Sequence, residues 1–290
     1  MVDINLWALI GTGFAAGLLG AMLGVGGGVI MVPILTLALG LPMQVAIGSS
    51  LISIVINACT ATSVYIRSHI TNLKLGLLLA TALVPGAIAG GILAAQLTSN
   101  ILSLIFGIVM LYVAYTMVPK KPALKARGAA TNVSRSFTEK EHDSHAWLSG
   151  CYFDPAIKEE IVYQVHRPAA GLSAGFLGGL ISSLLGVGGG IINVPVMNLV
   201  MKVPVKATMA TSSLLVCITG MTGSLIYIHH GYIYPYIVSP LIISVYLGAR
   251  LGATLAYRTG NVILMRIFAA FLALTSVLMT IKAFNFSNGS

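Results

Sequence analysis

Shifting the chain by 162 residues lays its second half on its first without a gap. Leu23-Gly24-Val25-Gly26-Gly27-Gly28 falls on Leu185-Gly186-Val187-Gly188-Gly189-Gly190, and Val32-Pro33 falls on Val194-Pro195. Pro42 meets Pro204, Ser50 meets Ser212, Tyr65-Ile66 meets Tyr227-Ile228, and Gly86 and Gly90 meet Gly248 and Gly252. Between Gly13 and Pro33, 13 of 21 positions are identical to their counterparts. Apolar similarity alone does not produce a doubled glycine run followed by a doubled Val-Pro. A fixed internal period of this kind means two copies of one structural unit.

The solvent for these units follows from where charge is missing. Only 8% of the 290 residues are charged, against about a quarter in a soluble domain. Six of the seven carboxylates lie between residues 139 and 160, and the seventh is Asp3. The rest is a series of acid-free apolar runs, which predicts an all-α polytopic membrane protein. The first run, Ile4 to Leu23, has no basic residue before it and reads as a retained helix. The net charge of +9 is spread over short loops and one linker, a positive-inside pattern that excludes nucleic acid as partner. Three cysteines in separate regions give no metal spacing and no disulfide framework.

Each unit reads as a helix of about 20 residues up to the glycine break, a shorter arm (Val29 to Leu39; Ile191 to Met201), and three spans. These are 43–66, 75–97 and 101–118 in the first half and 205–228, 236–257 and 262–281 in the second. The predicted domains are therefore 1–118, a polar linker at 119–167, and 168–290, with 8–10 membrane segments in total. The linker reads as a solvated loop with one short amphipathic helix near Ile157 to Val165. If the glycine break turns the chain back to its starting face, the halves are inverted. Arg67, Lys74, the eight linker bases, Lys202, Lys206 and Arg258 then share one face. Positive-inside bias selects that arrangement, with the linker cytoplasmic and both termini outside. Inverted repeats with broken helices are a recurrent secondary-transporter design.

Glycine runs inside hydrocarbon are tolerated where the freed amides are buried in protein or face a wet cavity. The amides of Gly26, Gly27, Gly28, Gly188, Gly189 and Gly190 would open the second arm of each hairpin, and a helix N-terminus is an anion site. The competing reading is a tight turn with close helix packing. Ser49 and Ser50, with Thr211 and Ser212, form a matched hydroxyl cluster suited to anion oxygens, or else bond back to their own helices. Asn193 and Asn198 replace Met31 and Thr36, breaking the symmetry as an asymmetric substrate requires. Arg250, deep in a span, costs about 2.5–3.5 kcal/mol there and is a binding candidate; the alternative is snorkelling to the interface. The pairs Gly13/Gly17, Gly20/Gly24, Gly86/Gly90 and Gly248/Gly252 read as helix-packing faces. Tyr65, Tyr227, Tyr232, Tyr234 and Tyr236, with His69, His229 and His230, read as interfacial residues. No span holds an Asp or Glu, so a cation site or carboxylate relay has no material; that leaves an anionic or a neutral substrate, and an anion fits the glycine amides, hydroxyls and arginine.

Two units opening with GxxGxxLGVGGGxxxVP resemble the sulfite exporter TauE/SafE membrane family. The first copy runs Gly17 to Pro33, the second Gly179 to Pro195 with Ser182 in place of Gly20. The resemblance covers both units and implies transport of sulfite, organosulfonates or related anions across the cell membrane, without enzymatic activity or cofactor. The partners implied are a small anion and the lipid bilayer, with a homodimer left open. Two other readings share these residues: an anion channel, and a membrane-embedded sulfur relay using Cys59 and Cys217, which the repeat alignment places one helical turn apart.

Overall fold

The computed structural model describes residues 6–117, 148–154 and 159–258. The third predicted span of the second unit (262–281) and linker residues 119–147 lie outside them. The first unit comprises α1 (Leu6–Leu23), α2 (Gly28–Leu37), α3 (Met43–Arg67), α4 (Leu73–Gln96) and α5 (Ser99–Met117). A β-hairpin follows, β1 (Gly150–Asp154) and β2 (Glu159–Tyr163). The second unit begins with α6 (Pro168–Leu185) and α7 (Gly190–Pro195), which continues as one π-helical turn over Val196–Val200. Then come α8 (Val205–His229) and α9 (Pro235–Arg258). Six of these helices are long and apolar enough to cross a membrane among the described residues. The chain is thus the all-α polytopic membrane protein its sequence predicts.

The units are interleaved. α3 and α8 cross at the centre and run antiparallel: Leu51 fills the space beside Gly223, Val55 that beside Gly220, and Cys59 is bonded to Cys217. α1 lies parallel to α9 of the other unit, and α4 lies parallel to α6. These seams close through glycines. Gly248 and Gly252 lie against the carbonyls of Phe14 and Leu18, and Gly86 and Gly90 against those of Phe176 and Leu180. Small residues let backbones approach where lipid provides no hydrophobic drive. Gly20 packs against Gly27 of its own break and the side-chain amide of Asn57 on α3, and Gly24 against the Met209 backbone of α8.

The two ends of the bundle differ in charge. One end carries the hairpin, docked by Asn72 and by the His166 amide, which donates to the Met201 carbonyl (3.2 Å). Arg67, Lys74, Arg167, Lys202, Lys206 and Arg258 gather at this end. The opposite end is built by residues 38–44, 96–101 and 229–236. Gln44 donates to the Leu97 carbonyl there (3.1 Å), and Tyr232 borders Gly48. Those segments hold no lysine or arginine.

Two sequence expectations are corrected. The described part of the 157–165 stretch is not an amphipathic helix: 159–163 is strand β2, paired antiparallel with β1 (Tyr152 opposite Ile161). Burial alternates along it, with Tyr163 and Val165 buried and Val162 and Gln164 exposed, a period of two. Nor is this part of the linker a solvated loop, since Leu148, Tyr152, Tyr163 and Val165 pack into the core beside Leu75, Leu79 and Met201. Tyr65 and Tyr227 are not belt residues either. Both are buried, and their hydroxyls donate to the carbonyls of Ala21 (2.9 Å) and Ser183 (3.3 Å), equivalent bonds in the two units. A buried phenol needs such an acceptor, and the tips of α1 and α6 provide it.

Candidate functional site

Each glycine break interrupts a helix that enters from one end of the bundle and turns back near its middle. Gly24 and Gly186 leave their helices at φ +67° and +66°, and Gly26 and Gly188 adopt φ +87° and +76°. Both breaks are buried throughout. They touch across the seam: Gly28 lies against the Gly186 carbonyl, and Gly190 against the Gly24 carbonyl. Ile54 of α3 and Val216 of α8 press on both Gly26 and Gly188.

Symmetry gives way at the third position. Gly27 has φ +81°, whereas Gly189 has φ −55°, an ordinary right-handed value. Of these two, only Gly27 needs glycine's backbone freedom. There a Cβ would also collide with the Ala16 carbonyl, while at Gly189 it would sit 3.1 Å from the Gly178 carbonyl.

The hydroxyls divide into two classes. Ser50 donates to the Gly186 carbonyl (2.6 Å) and Ser212 to the Gly24 carbonyl (2.9 Å), so each unit fastens the other's break. Their hydrogens are thereby committed to backbone. Thr211 accepts from the Asn72 amide (3.1 Å), which ties α8 to the start of α4. Ser49, the Thr211 equivalent, is fully buried and its Oγ has no partner. Asn193 is 3% exposed, lies against Gly178 and Gly189, and its Nδ2 has no partner. Asn198 donates to the Val203 carbonyl (3.0 Å) and holds the π-turn in place.

Several backbone donors are also unspent. The amides of Gly27, Gly28, Gly188, Gly189 and Gly190 find no acceptor among the described residues. The Ile30 and Met31 amides return to the Gly27 carbonyl, and those of Ile192 and Asn193 to the Gly189 carbonyl. What the seam offers is therefore mostly N–H and O–H in an acid-free interior. Buried donors of this kind cost free energy until something accepts from them.

Arg250 is not part of this assembly. It is exposed on the face of α9 that also shows Tyr246, Leu247 and Leu251, two turns from the basic end. The structure instead adds Asn57, which sequence reasoning missed. Its Nδ2 donates to the carbonyls of Gly26 (3.0 Å) and Ala16 (3.3 Å), and its Oδ1 is buried without a partner. An asparagine in the middle of span 43–66, where the other unit has Thr219, is the signal that could have found it. Ser182 and Ser183, at the tip of α6, are likewise buried with unpartnered hydroxyls.

Cys59 and Cys217 do come together, as a disulfide with Cα atoms 5.6 Å apart at the α3–α8 seam. No group of three or more His, Cys, Asp or Glu residues suited to a metal occurs among the described residues.

Similarity to known proteins agrees with this architecture. The chain is 27% identical over 254 residues to a probable membrane transporter protein of Bacillus subtilis, covering 85% of this chain and 87% of the relative. It is 26% identical over 234 residues to a probable membrane transporter protein of Methanocaldococcus jannaschii, covering 78% and 74% respectively. No solved structure matches. The profile of the sulfite exporter TauE/SafE family matches residues 9–279, both glycine breaks and all nine described helices falling wholly or largely within it, and the chain belongs to that family.

Proposed function

We propose that this membrane transporter exports a small sulfur-containing anion, sulfite or an organosulfonate, by alternating access at the paired glycine breaks. The observation that carries the reading is the set of unspent donors at the two touching breaks, in an interior without a carboxylate. Backbone amides at a helix start, with the positive end of the α2 dipole behind them, favour an oxyanion over a cation or a neutral solute. Both breaks are buried here, so the anion reaches them only when the α3–α8 seam parts toward one face or the other.

The antiparallel α3–α8 pair and the six bases at one end support inverted repeats. We place that end, with the hairpin, in the cytoplasm and both termini outside. Proteoliposomes loaded with sulfite, sulfate, thiosulfate or ethanesulfonate provide the test. Saturable flux of sulfite or the sulfonate, with counterflow by the same anion, is expected. Linear flux without counterflow would favour a channel. Absence of flux for all four anions would overturn the proposal, and flux in a protein lacking Cys59 and Cys217 would remove the sulfur-relay alternative.

A further inference from the structure

Cys59 comes from the first unit and Cys217 from the second, so their disulfide is the one covalent tie between units among the described residues. They share a small apolar cluster with Ile54, Ala58 and Val216. Ile54 and Val216 are the side chains that fill the space beside Gly26 and Gly188, one glycine from each break. The bond therefore sits beside the residues that cover both breaks. Cys217 is 8% exposed and Cys59 is half-buried.

We propose that Cys59 and Cys217 are a redox site controlling access to the glycine breaks. As a disulfide the pair clamps α3 to α8, with Ile54 and Val216 held over Gly26 and Gly188. As two thiols it lets that seam open. This rests on the breaks being the substrate site, whichever anion is carried.

The physical reason is reach. A disulfide holds its Cα atoms within about 6.8 Å, so the helices can neither part at this level nor slip past each other by a turn, about 5.4 Å, while it is intact. In the chemistry, a dithiol reductant attacks one sulfur through a mixed disulfide. The S–S bond breaks, two electrons and two protons arrive as Cys59 and Cys217 thiols, and the reductant leaves as its own disulfide. A small disulfide such as oxidised glutathione reverses the exchange.

The test uses the full chain in lipid nanodiscs with the exposed Cys151 changed to Ser. The protein is treated with oxidised glutathione or with dithiothreitol, and intact mass reports the state of the bond. Hydrogen–deuterium exchange is then followed in peptides covering Leu23–Val29 and Leu185–Ile191. Exchange there should be about tenfold faster after reduction, as local opening permits. A Cys59→Ser/Cys217→Ser variant should show the fast rate under both reagents. Equal exchange in the two verified states would overturn the proposal, and so would two thiols that persist after oxidant. The reduced wild-type chain needs no substitution at either position, so a poorly folding variant does not blunt the test. Flux is measured separately. Redox-dependent exchange without flux of any anion would overturn the transport reading and leave only the redox control of the seam standing, and flux with redox-independent exchange would overturn that control and leave the transport reading.

Discussion

The third glycines of the two breaks look interchangeable in the alignment and are not so in space. Gly27→Ala should destabilise the protein by about 1–3 kcal/mol from the left-handed backbone alone, with the collision at the Ala16 carbonyl adding to it. Gly189→Ala adopts its native backbone without strain and should change stability by less than about 1 kcal/mol. Its Cβ nonetheless stands where an anion would approach, so affinity for ethanesulfonate should fall. Thermal denaturation and binding measured on both variants check this, and unchanged affinity in a stable Gly189→Ala protein would remove that amide from the site. Ser50→Ala and Ser212→Ala should each cost about 1–3 kcal/mol, because each leaves a buried carbonyl, Gly186 or Gly24, without its donor. A loss confined to one of the two would mean that the breaks are not fastened equivalently.

Among the elements, the β-hairpin departs most from expectation, and its docking has a titratable latch. Asn72 caps α4 by accepting from the Leu75 amide, while its Nδ2 donates to the Leu148 carbonyl (2.9 Å) and the Tyr163 hydroxyl (3.2 Å). Burial pushes the Tyr163 phenol above its ordinary value of 10.0, the bond from Asn72 partly opposing it and Cys151 adding slightly to it. A phenol raised in the folded state stabilises docking fully below 10.0, and that contribution is lost as pH climbs through the raised value. Proteolysis within the linker should therefore accelerate above about pH 10 in wild type, with a weaker pH dependence in Tyr163→Phe. A wild-type rate that is flat with pH would mean that the phenol does not hold the hairpin. At the α4–α6 seam, Gly86→Ala places a methyl against the Phe176 carbonyl and should cost about 1–3 kcal/mol with little change in anion affinity.

At the scale of the whole molecule, antiparallel α3 and α8 put the equivalent loops after them at opposite ends of the bundle. Single cysteines at Ser68 and Gly231, in a chain without its native cysteines, should be labelled by an impermeant maleimide from opposite faces of the membrane. Labelling from one face would overturn the inverted arrangement. Arg250, exposed on α9 near the basic end, has the position of a snorkelling anchor. Arg250→Ala should keep most of the flux, and complete loss in an inserted, folded variant would restore it to the substrate path.

Composition and repetition alone determined the membrane environment, the duplication, the limits of the described helices to within a few residues and the places where glycine runs break them. Each of these depends on local chemistry: apolar length, period, and the few residues that break a helix. The unequal charge of the loops also anticipated which segments meet at one end, because Arg67, Lys74, Lys202 and Lys206 are all loop-flanking bases. Tertiary structure decided the rest. That Ser50 and Ser212 serve the opposite unit's break, that Asn57 braces its own, and that Cys59 finds Cys217 all depend on how α3 and α8 cross. A sequence lists which polar groups enter the membrane. Which of them are spent on backbone carbonyls and which remain free is fixed only when two distant helices pack, since in hydrocarbon every donor must find its acceptor inside the protein or in what the protein binds.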